Sequence, residues 1–194
     1  MITRKTARER ILEVATDLFY REGIRAVGVD TIVAKSGVAK MSFYRSFPSK
    51  DDLVVAFLDE WEQRYWERWD DTVNRHQGAP RAQLLALFEA IAQRTTSANY
   101  RGCPFRNTAT EFPEPSHRGR EKALAHKREL RRRLLQLTED LGAAQPPILA
   151  DQLLLLMDGV YSTACTLSTP NFASVLLEAV KVLLDAQLPT KSSS

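Results

Sequence analysis

From Val29 to Lys50 the chain reads VDTIVAKSGVAKMSFYRSFPSK, and this stretch limits the possible folds more than any other. It predicts a short helix, a tight turn at Gly37, a second short helix, and a third opening at Pro48-Ser49. A helix of one or two turns fixes many dihedrals for few hydrogen bonds, so neither short helix is stable alone. Each must lean on a neighbour, and the longer amphipathic stretch upstream is the one available. Ile32, Val33 and Val38 are expected to face a small core. Gly37 is expected to adopt the left-handed backbone that closes the turn cheaply. Two helices joined across a short glycine-containing turn form a helix-turn-helix. Lys40, Met41, Ser42, Tyr44 and Arg45 are then left pointing outward.

The Ala34-x-x-Gly37-Val38 turn is followed by Phe43-Tyr44-x-x-Phe47-Pro48-Ser49-Lys50 and Asp51-Asp52-Leu53, with Ile11-x-x-x-Ala15-x-x-Leu18-Phe19-x-x-x-Gly23 upstream. In these motifs the chain resembles the DNA-binding domain of the TetR/AcrR family of bacterial one-component transcriptional regulators. They cover roughly the first quarter of the chain. One position departs: Ala39 stands where many members have serine, so the second short helix lacks a side-chain cap, a loss of about 0.5–2 kcal/mol at a typical cap.

Charge divides along the chain. Residues 1–50 hold ten Lys/Arg against five Asp/Glu, and the remainder 17 against 19. A basic head on a near-neutral body suits a head that meets a polyanion. With 44% hydrophobic residues the body can bury a sizeable core. Cys103 and Cys165 make no disulfide framework and sit in no Cys-x-x-Cys motif. The basic N-terminus leads into no apolar segment of a signal peptide. The run Leu153 to Met157 is broken by Asp158 and Gly159, short of the roughly 20 residues of a membrane span. A cytoplasmic protein with reduced thiols, without membrane or cofactor, is the expectation.

The remaining periodicity is helical. Thr6-x-x-Glu9 has capping-box spacing before a first helix that ends at Gly23. Asp30 is a plausible cap for the second helix. Ser49-x-x-Asp52 opens a long fourth, stopped by Gly78 and Pro80. A fifth covers Arg81 to Thr96 and a sixth Phe105 to Glu111. A proline-rich loop at 112–119 precedes a charged seventh, ended by Gly142. An apolar eighth follows Pro146-Pro147 to about Leu167, and Pro170 starts a ninth. The fold class expected is all-α: a three-helix helix-turn-helix domain at 1–50, a larger helical ligand-sensing and dimerisation domain at 51–188, and a disordered tail at 189–194.

Base-edge contacts read sequence, whereas phosphate contacts fix register. Lys40 can donate to guanine O6 or N7, Ser42 can serve several bases, and Met41 offers apolar contact to a thymine methyl. The resemblance implies phosphate contacts by the Tyr44 hydroxyl and the Lys50 ammonium; Arg45 suits either role, and Phe43 and Phe47 suit packing. Selective sites usually need two heads about one helical turn apart. The eighth helix is apolar most of the way round and must be buried. In the TetR family the last two helices pair with their mates. The resemblance thus implies a homodimer on a palindromic operator in double-stranded DNA, with repression released by an unidentified small-molecule effector.

In the TetR family helices four to eight enclose the effector cavity. The aromatic-rich middle supplies candidates in Trp61, Tyr65, Phe88, Phe105 and Tyr161, with Asn107 and Asp158 as orienting polar groups. Asp158, a carboxylate amid leucines, requires a partner. Arg131-Arg132-Arg133 reads most simply as a solvated face with a Glu129–Arg133 pair. His76, His117 and His126 lack ligand spacing, so no metal site is expected. Three alternatives remain: a thiol sensor of electrophiles or oxidants using Cys103, an architectural DNA binder, and a small-molecule-processing enzyme. No nucleophile elbow, phosphate-cradling glycine loop or metal-ligand cluster favours the enzyme.

Overall fold

The structure is a computed structural model that describes residues 5–167 and 172–187. It is all-helical, with nine helices and no strand among the described residues: α1 (Ala7–Glu22), α2 (Val29–Ser36), α3 (Lys40–Ser46), α4 (Lys50–Arg75), α5 (Pro80–Thr95), α6 (Pro104–Glu111), α7 (Arg118–Asp140), α8 (Pro146–Leu167) and α9 (Phe172–Gln187). These sort into two compact units. The first is the chain up to Arg64 together with Cys103–His126, and the second is Tyr65–Gly102 with the chain from Lys127 onward. The expected tail at 189–194 and a helix start at Pro170 lie outside the described residues.

In the first unit, helix starts are set by side chains that satisfy otherwise orphaned amides. At α1 the Glu9 amide donates to Thr6 Oγ1 at 3.2 Å, while the Thr6 amide donates to Glu9 Oε2 at 2.7 Å. The same reciprocal box opens α4: Asp52 N to Ser49 Oγ is 3.1 Å and Ser49 N to Asp52 Oδ2 is 3.0 Å. Asp30 is not the cap of α2. Gly28 occupies that position without a side-chain bond, and Asp30 lies in the first helical turn. Gly37 follows α2 at φ 62° and ψ 30°, the left-handed conformation that lets the chain turn into α3.

The core beneath this turn gathers Ile11, Leu18, Phe19, Ile32, Phe43, Phe47, Leu53, Phe57 and, from far along the chain, Phe105 and Ala123. Phe43 and Ile32 are fully buried, so each short helix is anchored by its apolar side rather than by propensity. Helix α6 joins this core and its last residue reaches back. The Glu111 carboxylate accepts from the backbone amides of Ile24 at 3.1 Å and Arg25 at 2.7 Å. Gly119, in α7, has a packing role: a Cβ there would lie 3.0 Å from Val54 Cγ1 and 3.1 Å from Thr108 Cγ2.

In the second unit α5, α8 and α9 pack on one another. Phe88, Leu84, Leu149, Leu153, Val180 and Leu184 are all fully buried. Pro146 and Pro147 form the first turn of α8 rather than preceding it, where their missing N–H groups leave no bond unmade. The Thr138 hydroxyl lies 2.8 Å from the Leu135 carbonyl and 3.0 Å from that of Pro146. The end of α9 is tied to the α7–α8 turn by Ala144 N to Gln187 O at 2.9 Å. By length and composition α8 could cross a membrane, its apolar character extending well beyond Leu153–Met157. Its Leu149, Leu153 and Met157 are spent on the core instead.

Candidate nucleic-acid interface and effector-site residues

Helix α3 separates its side chains into two sets. Phe43 is fully buried, and Phe47 just past the helix end is 2% exposed, with ring centroids 6.2 Å apart. On the other side Met41 is 74% and Tyr44 45% exposed, with Lys40 and Arg45 also exposed. A methionine uncovered to that degree is not held by the core, and Tyr44 meets the Phe43 ring at close to a right angle. Ser42 is half-buried, its carbonyl accepting from the Ser46 hydroxyl at 2.8 Å. As expected from Ala39, the start of α3 has no side-chain cap.

Two lysines frame this surface differently. Lys40, the first residue of α3, places its ammonium 2.7 Å from Asp30 Oδ1. That hydrogen bond, together with the charge of Asp30, holds the Lys40 pKa above its ordinary value. Lys50, the first residue of α4, is half-buried, with Nζ 5.9 Å from the Phe19 ring centroid. Burial pushes its pKa down, opposed by the nearby charges of Glu111 and Asp51. It is a held cation rather than a freely solvated one.

The expected effector residues divide between the units. In the first, Trp61 stacks near Tyr20 at 4.9 Å, and Phe105 lies flat on the His126 ring at 3.7 Å. Asn107 is half-buried in α6. In the second, Tyr65 packs edge-on against Trp66, Phe88 is wholly buried, and Tyr161 lies 6.3 Å from Tyr100. Asp158 is not a carboxylate sunk among leucines. Its side chain is 38% exposed and pairs with Lys127 one helix away, so the partner it required is a lysine of the same chain. A cavity of about 400 Å³ in the second unit is bordered by Thr95, Ser97, Tyr100, Arg101, Cys165 and Phe172, and by none of the seven expected residues. Its wall joins the polar turn after α5 to small residues of α8 and α9, with Tyr100 and Phe172 as its two aromatics.

Cys103 precedes α6, half-buried against the first unit's core, and its carbonyl accepts from Asn107 N at 2.9 Å. The arginine run on α7 is engaged with carboxylates throughout. Arg131 is bidentate to Asp151 at 2.6 and 2.9 Å, Arg132 and Arg133 both hold Glu129, and Arg133 lies 4.2 Å from the centre of the Trp66 ring. The two arginines hold the Glu129 carboxyl down at about 2. Among the described residues no group of three or more His, Cys, Asp or Glu side chains is placed to hold a metal ion.

Residues 11–57 match the family model of bacterial regulatory proteins, tetR family. The whole fold is similar to a crystal structure of a TetR-family transcriptional regulator from Streptomyces coelicolor, with a TM-score of 0.88, 29% identity, and 93% of this chain and 95% of that one covered. The chain belongs to the TetR family. Similarity to two curated members covers only part of the chain. The uncharacterized regulator YxaF of Bacillus subtilis is 41% identical over 56 residues, 28% of this chain and 29% of that protein. The transcriptional repressor KstR2 of Mycobacterium tuberculosis is 37% identical over 91 residues, 43% and 44% of the two. The aligned part spans less than half the length of either relative. The family's helix-turn-helix therefore corresponds to α2 and α3, whose outward residues are those described above.

Proposed function

We propose that the chain is a repressor that binds a palindromic operator as a homodimer and is released by a small-molecule effector. The observation that carries this reading is the division of α3, with Phe43 in the core and Lys40, Met41, Tyr44 and Arg45 uncovered on the opposite side. In this reading residues 1–50 form the DNA-binding domain. Lys40, Met41 and Ser42 contact base edges, Tyr44 and Lys50 contact phosphates, and Arg45 contacts either. Residues 51–188 sense the effector and dimerise.

Exposed apolar residues support the pairing of the last two helices. Ile148 and Leu155 on α8 are 50% and 70% exposed, and Val175 and Val182 on α9 are 59% and 66% exposed. Members of each pair are seven residues apart, which places them on one face of their helix. Such a face on both helices suits a two-fold interface, and two-fold symmetry in the protein requires it in the operator. Action on DNA places the protein in the cytoplasm. The decisive experiment is enrichment of bound duplexes from a randomised pool. The expected product is one inverted repeat bound at least a thousandfold, on the order of specific sites in general, more tightly than bulk DNA. Uniform binding to all duplexes would favour an architectural protein and end the repressor reading.

A further inference from the structure

Between Gly23 and Lys50 the sequence contains a single acidic residue, Asp30, among Arg25, Lys35, Lys40, Arg45 and Lys50. Its side chain is 82% exposed and its carboxylate meets the Lys40 ammonium at 2.7 Å, joining the first turn of α2 to the first residue of α3. An ion pair this exposed adds little to stability. On a face that meets a polyanion, a bare carboxylate opposes binding to every duplex. Its presence there is explained if some duplexes offer it a donor. A carboxylate accepts from the cytosine N4 amine, as a lysine donates to guanine O6 or N7. Across one G·C pair, O6 and N4 are themselves hydrogen-bonded, about 2.9 Å apart, close to the separation of Lys40 Nζ and Asp30 Oδ1.

We propose that Asp30 and Lys40 act together as a specificity pair that reads one G·C base pair, Lys40 donating to the guanine and Asp30 accepting from the cytosine amine. In the free protein each group occupies the other's hydrogen-bonding position, and the operator exchanges that contact for two contacts to the base pair. A C·G or A·T pair at that position leaves the carboxylate against a guanine acceptor or against the O4 and methyl of thymine, whereas a T·A pair still offers it the adenine N6 amine and is rejected less. Asp30 is thus a residue that rejects wrong sequences as much as it favours the right one. The inference rests on α3 being the recognition helix.

The test uses the full-length wild-type chain, Asp30→Asn, Asp30→Ala, Lys40→Ala and the Asp30→Asn/Lys40→Ala double variant. Each is titrated against a duplex enriched by the wild type from a randomised pool, against every single-base-pair change in that duplex, and against unenriched DNA. Wild type is expected to lose about tenfold when one particular G·C pair is changed to C·G or A·T, and less when it is changed to T·A. Both Asp30 variants and Lys40→Ala should lose most of that preference at the same pair, with the double variant no worse than the singles. Asp30→Asn should bind unenriched DNA roughly two- to fivefold more tightly, having shed a repulsive charge. If Asp30→Asn tightens all duplexes equally and keeps its preferences, or if the two residues affect different pairs, the specificity pair is overturned while the repressor reading stands. If the wild type enriches no sequence, both are overturned. A role for Asp30 at the start of α2 alone would lower thermal stability without moving any base preference.

Discussion

Lys50 shows how a single residue can be both structural and functional. Its stem lies toward Phe19 and its ammonium feels Glu111, so the cation is presented from a fixed place rather than waving in solvent. Replacing it by alanine is expected to weaken all duplexes similarly and to reduce the slope of log affinity against log salt by about one. Lost base preference with an unchanged slope would contradict a phosphate contact. Glu129 makes a different prediction. Its folded pKa, about 2, lies below the ordinary carboxyl value, so its contribution to stability is complete above that ordinary value and declines as pH falls toward about 2. Glu129→Gln should therefore flatten the acid side of the stability profile below about pH 5 and leave the neutral side lower but parallel. Urea midpoints measured across that range would show it. Gly37, Phe43, Phe47 and the exposed set on α3 were legible from residue type and spacing alone. The Lys40–Asp30 contact was not, because a carboxylate at the start of a helix looks the same whether it caps that helix or reaches across a turn.

At the scale of elements, the helix order was readable because punctuation and periodicity agreed: Gly23, Gly37, Gly78 and Gly142 each follow the helix that was expected to stop there. The paired boxes at Thr6/Glu9 and Ser49/Asp52 are local signals, complete within four residues, and both form as spaced. Ser49→Ala is expected to cost about 0.5–2 kcal/mol by leaving the amides at the start of α4 without their hydroxyl. Thermal or urea unfolding of the full chain would register it, and a Ser49→Asp variant should recover most of the loss. The contacts of α6 were not legible. Phe105 stacked on His126, and the closeness of Gly119 to Val54 and Thr108, join residues distant in sequence with no periodicity to announce them. Five of the seven expected effector residues were chosen by aromaticity, which marks packed cores as readily as cavities, and Phe88 and Phe105 are buried.

For the whole molecule, the apolar residues left exposed on α8 and α9 carry the prediction. Leu155→Glu would place a charge on the proposed two-fold face, once in each copy. Sedimentation analysis should find the variant shifted to monomer, and its affinity for the enriched inverted repeat should fall at least a hundredfold, roughly the loss of linkage between two half-sites. A Leu155→Glu chain that remained dimeric would move the interface elsewhere.

The reach of Glu111 back to the amides of Ile24 and Arg25, with Phe105 and Ala123 in the same core, gives the reading head an unusual biography. During synthesis α1, α2 and α3 leave the ribosome well before residue 111. At about 5–20 residues per second the interval lasts several seconds. Throughout it, apolar surface that Phe105 will cover stands open to water and to chaperones. A peptide ending at Arg64 would be trapped permanently in that adolescence, less helical and more readily digested than the same residues within the full chain. Its limited-proteolysis pattern should show cleavage first near Ile24 and Arg25.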